Sequence, residues 1–415
     1  MAQYSLAAAL AAAATVLAHR YVAQRGGDTD FFPRWYALRA LLIEGRDPYS
    51  ASVTAEVALR TSLATAPDAV RAAYGLIYPL PGVLPLAPLV TLPYDWAAGA
   101  WLVSGIVALA VAGTLMAATG AARAASSSAP PPLAGAVVVL LSVPALWNAA
   151  LVQPGLLVPL LVALALWIRS RYPVLAGVAL ALGSLLKPQL TALVTLGWVG
   201  REVVLAVRCE ASARRFLAGL TGVVVGLALL ATALLPSWPA AFLNAMQTYG
   251  NAGALRTTAP AVFVLLAEGA AAPLALLGTV ALGLVLLVWV AAGWRAGLLQ
   301  GAMRSVVVGA LLTPPAWETN ATPLMLPLAH AAGAARRPWR LVGASVALSA
   351  ALAPLAVLWP WRSGAVVAVG YAALAVLAAH PRSGWALSLR AKARDRSSAA
   401  PDAAARSAPA GRAPR

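Results

Sequence analysis

Lysine is almost missing from this chain of 415 residues. Of its 30 Lys and Arg residues only Lys187 and Lys392 are lysines, and Lys392 lies in the polar C-terminal stretch. Acidic residues number 13, and charged residues of both signs make up only 10% of the chain. So little charge excludes an ordinary soluble surface. With 61% of the residues apolar or aromatic, the chain reads as a polytopic membrane protein. The single cysteine, Cys209, excludes an intrachain disulfide and offers no metal-ligand spacing. His19, His330 and His380 sit separately at the edges of apolar runs, so neither a metal nor a cofactor is expected. A net charge of +17 would raise nucleic acid as a partner in a soluble protein. Here the arginines fall between apolar runs with no basic stripe of interleaved aromatics, so the positive-inside bias accounts for them and no nucleic acid is expected.

The apolar runs give an all-α, polytopic transmembrane helical protein of about 12 spans, with residues 1–380 as the membrane-embedded domain. The spans fall near 3–19, 95–118, 133–151, 154–168, 173–186, 189–200, 217–235, 272–292, 302–313, 321–335, 341–359 and 363–380. Residues 6–18 resemble a signal peptide ending in Val16-Leu17-Ala18, but no basic residue precedes them, which favours an uncleaved first helix. The clusters at Arg169/Arg171, Arg201–Arg215, Arg295/Arg304 and Arg336–Arg340 are separated by pairs of apolar runs, which makes those loops cytoplasmic. The loops around Gln153, Lys187, residues 249–256 and residues 317–320 then lie on the other side.

The same counting makes residues 20–94 one large extracytoplasmic loop, provided that residues 75–93 do not cross the bilayer. Pro79, Pro81, Pro85, Pro88 and Pro93 remove too many backbone donors for a lipid-exposed helix there. Trp35, Leu38 and Leu42 share one helical face in this loop, which predicts a helix lying along the membrane interface. The Ala-, Ser- and Pro-rich linker at 125–132 reads as loop. Residues 381–415, rich in Arg, Ala, Ser and Pro, read as a disordered basic cytoplasmic tail that meets anionic headgroups of membrane lipids.

Three clusters fall on the outer side. The first is Asp28-Thr29-Asp30, directly after the first helix, where a carboxylate can take the proton of an acceptor hydroxyl. The structural alternative is that Asp28 caps the next turn and Asp30 pairs with Arg34 or Arg39. The second is Lys187-Pro188-Gln189, approached by Asn148 and Gln153 from the neighbouring loop. A cation between apolar helices marks a functional site unless it snorkels to the headgroups, and Lys with amide donors suits a phosphate. The third is the outer loop carrying Tyr249 and Arg256, a second cation for an anionic group or else a lipid-facing one. Glu318 and Asn320 add polar groups on the same side, with Glu318 a further carboxylate of the site or a partner for Lys187 or Arg256.

The sequence from Asp30-Phe31-Phe32-Pro33-Arg34-Trp35-Tyr36 through Gly45-Arg46-Asp47-Pro48-Tyr49 to Tyr78-Pro79 and Leu86-Ala87-Pro88 resembles the outer loop of glycosyltransferase family 87. These are DUF2029-type bacterial membrane proteins that include polyprenol-phosphate-mannose-dependent α-mannosyltransferases. Gln153-Pro154, Ala176-Gly177 through Lys187-Pro188-Gln189, Pro236 to Tyr249, and Pro314 to Pro327 continue the likeness in order. Gln153 lacks the family's preceding Gly, and the segment near Trp317 lacks a His found in many members. The resemblance implies a GT-C fold, a polyprenyl-phosphate sugar donor, a lipid or glycan acceptor, and Asp30 as base, in a bacterial plasma membrane. Two other classes fit the composition. A transporter or flippase for a lipid-linked or anionic solute should show internal repeats and broken helices in matching positions, and neither is evident. A non-catalytic assembly subunit would tolerate loss of Asp30.

Overall fold

The computed structural model describes residues 2–65, 71, 74–124, 133–252, 260–267, 272–312, 318–335, 337–358 and 363–379. Among them every regular element is helical. The linker at 125–132, Arg256 and the tail from residue 381 lie outside the described residues. The first part of the chain forms α1 (Ala2–Arg25), α2 (Phe32–Leu42), α3 (Ala51–Leu59), α4 (Leu80–Val83), α5 (Tyr94–Ala124) and α6 (Leu133–Leu140). The middle forms α7 (Val143–Ala150), α8 (Val158–Ile168), α9 (Pro173–Leu186), α10 (Pro188–Val207), α11 (Ala211–Leu234) and α12 (Trp238–Ala252). The last part forms α13 (Ala261–Leu266), α14 (Ala272–Ala296), α15 (Leu298–Leu312), α16 (Met325–Ala334), α17 (Pro338–Leu358) and α18 (Ser363–Ala379).

Among the described residues four helices are long and apolar enough to cross a bilayer: most of α5, then α10, α11 and most of α14. The 24 residues of α11 extend ~36 Å against a hydrocarbon core of about 30 Å. On α11 and α14, Leu229, Leu284 and Val288 stay 66%, 62% and 71% exposed. Open leucines of this kind are a liability in water and are at home among lipid tails. The paired helices α6 and α7 qualify as a fifth crossing only as one bent element, with an angle of 63° between them. The bend has a local cause: Ser142 caps α7 by accepting from the Ala145 amide, and Pro144 follows in its first turn. Apart from α1 and α17, with 24 and 21 residues, the other helices are shorter than these four, so the helix lengths do not show twelve crossings.

The five prolines of residues 75–93 leave room only for α4 and a 3₁₀ run, Leu84–Leu89. Together these span ten residues, about 20 Å at most, which falls short of the bilayer core. The segment packs inward instead. Gly82 lies so close to the end of α9 that a Cβ there would collide with the Leu185 carbonyl. Helix α2 departs from the one-faced interfacial helix expected from its apolar spacing. Phe32, Arg34, Trp35, Tyr36, Ala37, Leu38 and Ala40 are all buried, so protein surrounds it. The polar members tolerate this because they keep partners: Trp35 Nε1 donates to the Leu89 carbonyl and Tyr36 donates to Glu56.

A buried ion cluster ties α8, α10 and α11 together. Arg169 donates through Nε and Nη2 to the two carboxylate oxygens of Glu202, which is fully buried. Trp198 Nε1 and Arg201 Nη1 donate to the same carboxylate, and the Arg169 guanidinium lies 5.2 Å from the centre of the Phe216 ring. Both oxygens of Glu202 are thus engaged, Oε1 by three donors and Oε2 by one, as a buried carboxylate requires.

Candidate functional site

Three chain segments place Asp30. Helix α1 ends in Gly26, whose positive φ of 57° and amide bond to the Val22 carbonyl form a left-handed stop. Thr29 then hydrogen-bonds the Tyr94 hydroxyl and accepts from the Phe32 amide, pinning the start of α2 against α5. The Asp30 amide donates to the Leu151 carbonyl at 2.9 Å, which fixes the residue against the end of α7. Asp28 has a different task. Its Oδ1 accepts from the Ser62 amide and closes the turn at Ser62–Thr65, so it serves as a cap.

Lys187 sits at a hairpin tip. Pro188 has no amide hydrogen and forces the residue before it out of the helical region, and Lys187 is accordingly extended at φ −153°, ψ 79°. The chain then turns back: Ser184 Oγ and Thr195 Oγ1, eleven residues apart, meet at 2.7 Å. A continuous helix would separate them by about 16 Å. The lysine is 2% exposed and its Nζ donates to Gln153 Oε1 at 3.1 Å. Gly155 makes room for it, since a Cβ there would lie 2.8 Å from Asn148 Oδ1 and 3.3 Å from the Lys187 stem.

Between Leu151, which holds Asp30, and Gln153, which holds Lys187, Val152 is buried at φ 51°. A β-branched residue in that region costs on the order of 1–3 kcal/mol and persists only where its surroundings impose it. The strained residue is therefore the joint between the two halves of the site.

Asp30, Arg34 and Lys187 act on one another electrostatically, yet none of the three forms a salt bridge with another. Arg34 donates through Nη1 to the Asp30 backbone carbonyl, and its guanidinium lies 3.8 Å from the centre of the Tyr78 ring. Arg39 takes no part: its Nη1 donates to the Val90 carbonyl. The Asp30 carboxylate is thus held near two cations without being locked to either. Burial pushes its pKa up, and the charges of Arg34 and Lys187 only partly oppose the shift.

A raised folded-state pKa means that stability from this group is full below the unfolded pKa and is lost as pH rises through the folded one. Reactivity runs the other way, because a base must be deprotonated. The acid limb of any Asp30-dependent turnover should therefore lie above pH ~4. A pH profile of kcat/KM that stayed flat down to pH ~4 would exclude Asp30 as the titrating group.

The other candidates divide. Gln153 joins Lys187 directly. Gln189 lies half-buried in the first turn of α10, but the amide that Lys187 contacts is that of Gln153. Asn148 is fully buried and bonds through Nδ2 to the Pro144 and Thr319 carbonyls and to Thr322, so it ties α7 to the turn at Glu318–Leu324. Asn320 lies in the same turn and is 9% exposed. The side chain of Glu318, like the whole of Arg256, falls outside the described residues.

Tyr249 is half-buried on α12, beside a cleft of about 580 Å³ between α3 and α12. Tyr49, Thr54, Gly75, Leu76, Asn244 and Thr248 line this cleft. It adjoins the charged site: Tyr49 donates to the Tyr78 carbonyl at 2.6 Å, and Tyr74, next to Gly75, feels the Asp30 charge. Sequence reasoning gave Val152 no role and named Tyr78 only as part of the family likeness. It took Arg34 only as a partner for Asp30, although the i, i+4 spacing already placed the two side by side.

A helical membrane protein with a carboxylate and two basic side chains gathered beside a cleft of mixed apolar and polar lining has the equipment for group transfer to a hydroxyl. The sequence profile of Glycosyltransferase family 87 matches residues 76–317, more than half of the chain, and the protein belongs to that family. No curated protein and no solved structure matches it significantly. Membership makes it a membrane glycosyltransferase, with a sugar donor and an acceptor as its partners.

Proposed function

We propose that the protein transfers a sugar, mannose being the leading candidate, from a polyprenyl-phosphate donor to a lipid or glycan acceptor on the extracytoplasmic side of a bacterial plasma membrane. The reaction inverts the anomeric centre. The acceptor hydroxyl reaches the site from the cleft between α3 and α12, and Asp30 removes its proton as the oxygen attacks the anomeric carbon. The bond from that carbon to the phosphate oxygen breaks, the electron pair leaves with the polyprenyl phosphate, and Lys187 stabilises the departing anion.

The observation that carries the reading is the meeting of half-buried Asp30 with buried Lys187, 157 positions apart, where neither is consumed by a salt bridge. In an inert core such a pair would be expected to close on itself. The test is donor affinity: Lys187→Ala should weaken polyprenyl-phosphate-sugar binding by about 10- to 100-fold, with Lys187→Arg restoring part of it. Unchanged donor affinity in Lys187→Ala would contradict the assignment.

The sidedness has its own test. Single cysteines at Ser62, Thr91, Ser127 and Ser184, in a Cys209→Ser background, are probed on intact cells with a membrane-impermeant thiol reagent. Positions 62 and 91 should label from outside, 127 only after permeabilisation, and 184 weakly from outside. Outside labelling of 127 with 91 protected would put Asp30 and Lys187 on opposite faces and contradict a shared site.

A further inference from the structure

The site holds more positive charge than its one carboxylate can balance. Arg34 is 4% exposed, and its two contacts, the Asp30 carbonyl and the Tyr78 ring, are both neutral. Its Nε is buried with no hydrogen-bond partner. Lys187 likewise spends its one hydrogen bond on a neutral amide oxygen. Among the described residues, the charges acting on Asp30 are those of these two cations, and the charges acting on Lys187 are those of Arg34 and Asp30. Two buried basic side chains therefore face one carboxylate; burial and the Arg34 charge pull the Lys187 pKa down to about 7, and an anionic ligand would restore its charge and balance the pair.

The geometry also says what kind of anion. Tyr78 fixes the plane of the guanidinium and the Asp30 carbonyl occupies Nη1, which leaves the Nε edge of the fork for an acceptor. A planar fork of this kind suits two oxygens of a phosphate, while an ammonium acts as a point charge.

We propose that Arg34 and Lys187 together form a two-cation seat for the phosphate of a lipid-linked substrate, with Arg34 as the ligand that reads the charge gained during the reaction. This rests on the glycosyl-transfer reading. The donor phosphodiester carries one negative charge. When the bond from the anomeric carbon to oxygen breaks, the electron pair stays on the leaving phosphate and the lipid monophosphate carries two, while the hydroxyl proton passes to Asp30. A second cation is therefore worth most late in the reaction, which is where stabilisation accelerates it.

The test uses the purified full-length protein in neutral detergent at pH 8, titrated with dodecyl phosphate, methyl dodecyl phosphate and inorganic phosphate, with binding followed by tryptophan fluorescence. Arg34→Gln should lose about 10- to 100-fold in affinity for the monoester and clearly less for the diester. Lys187→Ala should lose on both, and inorganic phosphate should bind far more weakly than the alkyl monoester. Melting curves without ligand identify any variant that fails to fold. In that event Arg34→Lys, which keeps the charge and loses the fork, should show an intermediate and still monoester-selective loss.

Unchanged monoester affinity in Arg34→Gln, or an equal loss on monoester and diester, overturns the role of Arg34 while leaving Lys187 as the donor ligand. Inorganic phosphate binding as tightly as dodecyl phosphate overturns the lipid-linked assignment. Indifference of both variants to every phosphate probe removes the donor-phosphate reading itself. The assignment of Asp30 as base is tested separately, by turnover.

Discussion

Asp30→Asn should lower sugar transfer by about 10²- to 10⁴-fold, the range that a positioned general base contributes, while donor binding is kept. The substitution preserves shape, and the backbone amide that bonds Leu151 is untouched, so the loop should hold its place. Donor affinity should hold or rise slightly, because a negative charge has gone from beside the phosphate seat. Asp28→Asn is the matched control. That side chain caps the turn at Ser62–Thr65, and weakening a cap costs on the order of 1 kcal/mol without touching chemistry. If Asp28→Asn were inactive and Asp30→Asn active, the base would be the wrong carboxylate. Normal turnover in both would remove the base mechanism.

Glu202→Ala should lower stability by about 3–5 kcal/mol. The carboxylate is fully buried and takes hydrogen bonds from Arg169, Trp198 and Arg201, so its removal leaves the 8%-exposed Arg169 charge without a counterion. The loss would also be felt at the proposed site. Glu202 lies fifteen residues along α10 from Lys187, ~22 Å away, and clamps the far end of the hairpin that presents the lysine. Thermal melting in detergent should show a lowered midpoint for Glu202→Ala. The double change Arg169→Met/Glu202→Leu, which removes both charges and keeps volume, should recover most of it. A wild-type midpoint in Glu202→Ala would mean that the cluster adds nothing.

The parts of this fold that the sequence made legible are those set by local chemistry. Apolar runs became helices, Pro188 broke the chain where the lysine stands, and five prolines kept residues 75–93 from forming a long helix. Counting arginine loops led to the expectation that Asp30 and Lys187 lie on one side, because a shared side is a prerequisite for a shared site. What could not be read depends on contacts between distant segments. Nothing about Val152 announces a positive φ; the surrounding helices impose it. Arg34 looked like an ion-pair partner for Asp30 because both lie at the start of α2, and only the position of Tyr78 shows why the guanidinium can stay unpaired. Helix α2 misled in a similar way: its apolar spacing suggested a surface helix, but the partners of Arg34, Trp35 and Tyr36 let its polar positions be buried as well.

The most direct test of the central claim is transfer itself. Purified protein is incubated with a panel of radiolabelled polyprenyl-phosphate sugars and membrane lipid or glycan acceptors, with Asp30→Asn beside it. The expected result is label moving from one polyprenyl-phosphate sugar, mannose first among those tried, to an acceptor by the wild-type protein and not by Asp30→Asn. Label that stays on the donor with every sugar, or transfer by Asp30→Asn at the wild-type rate, would contradict it.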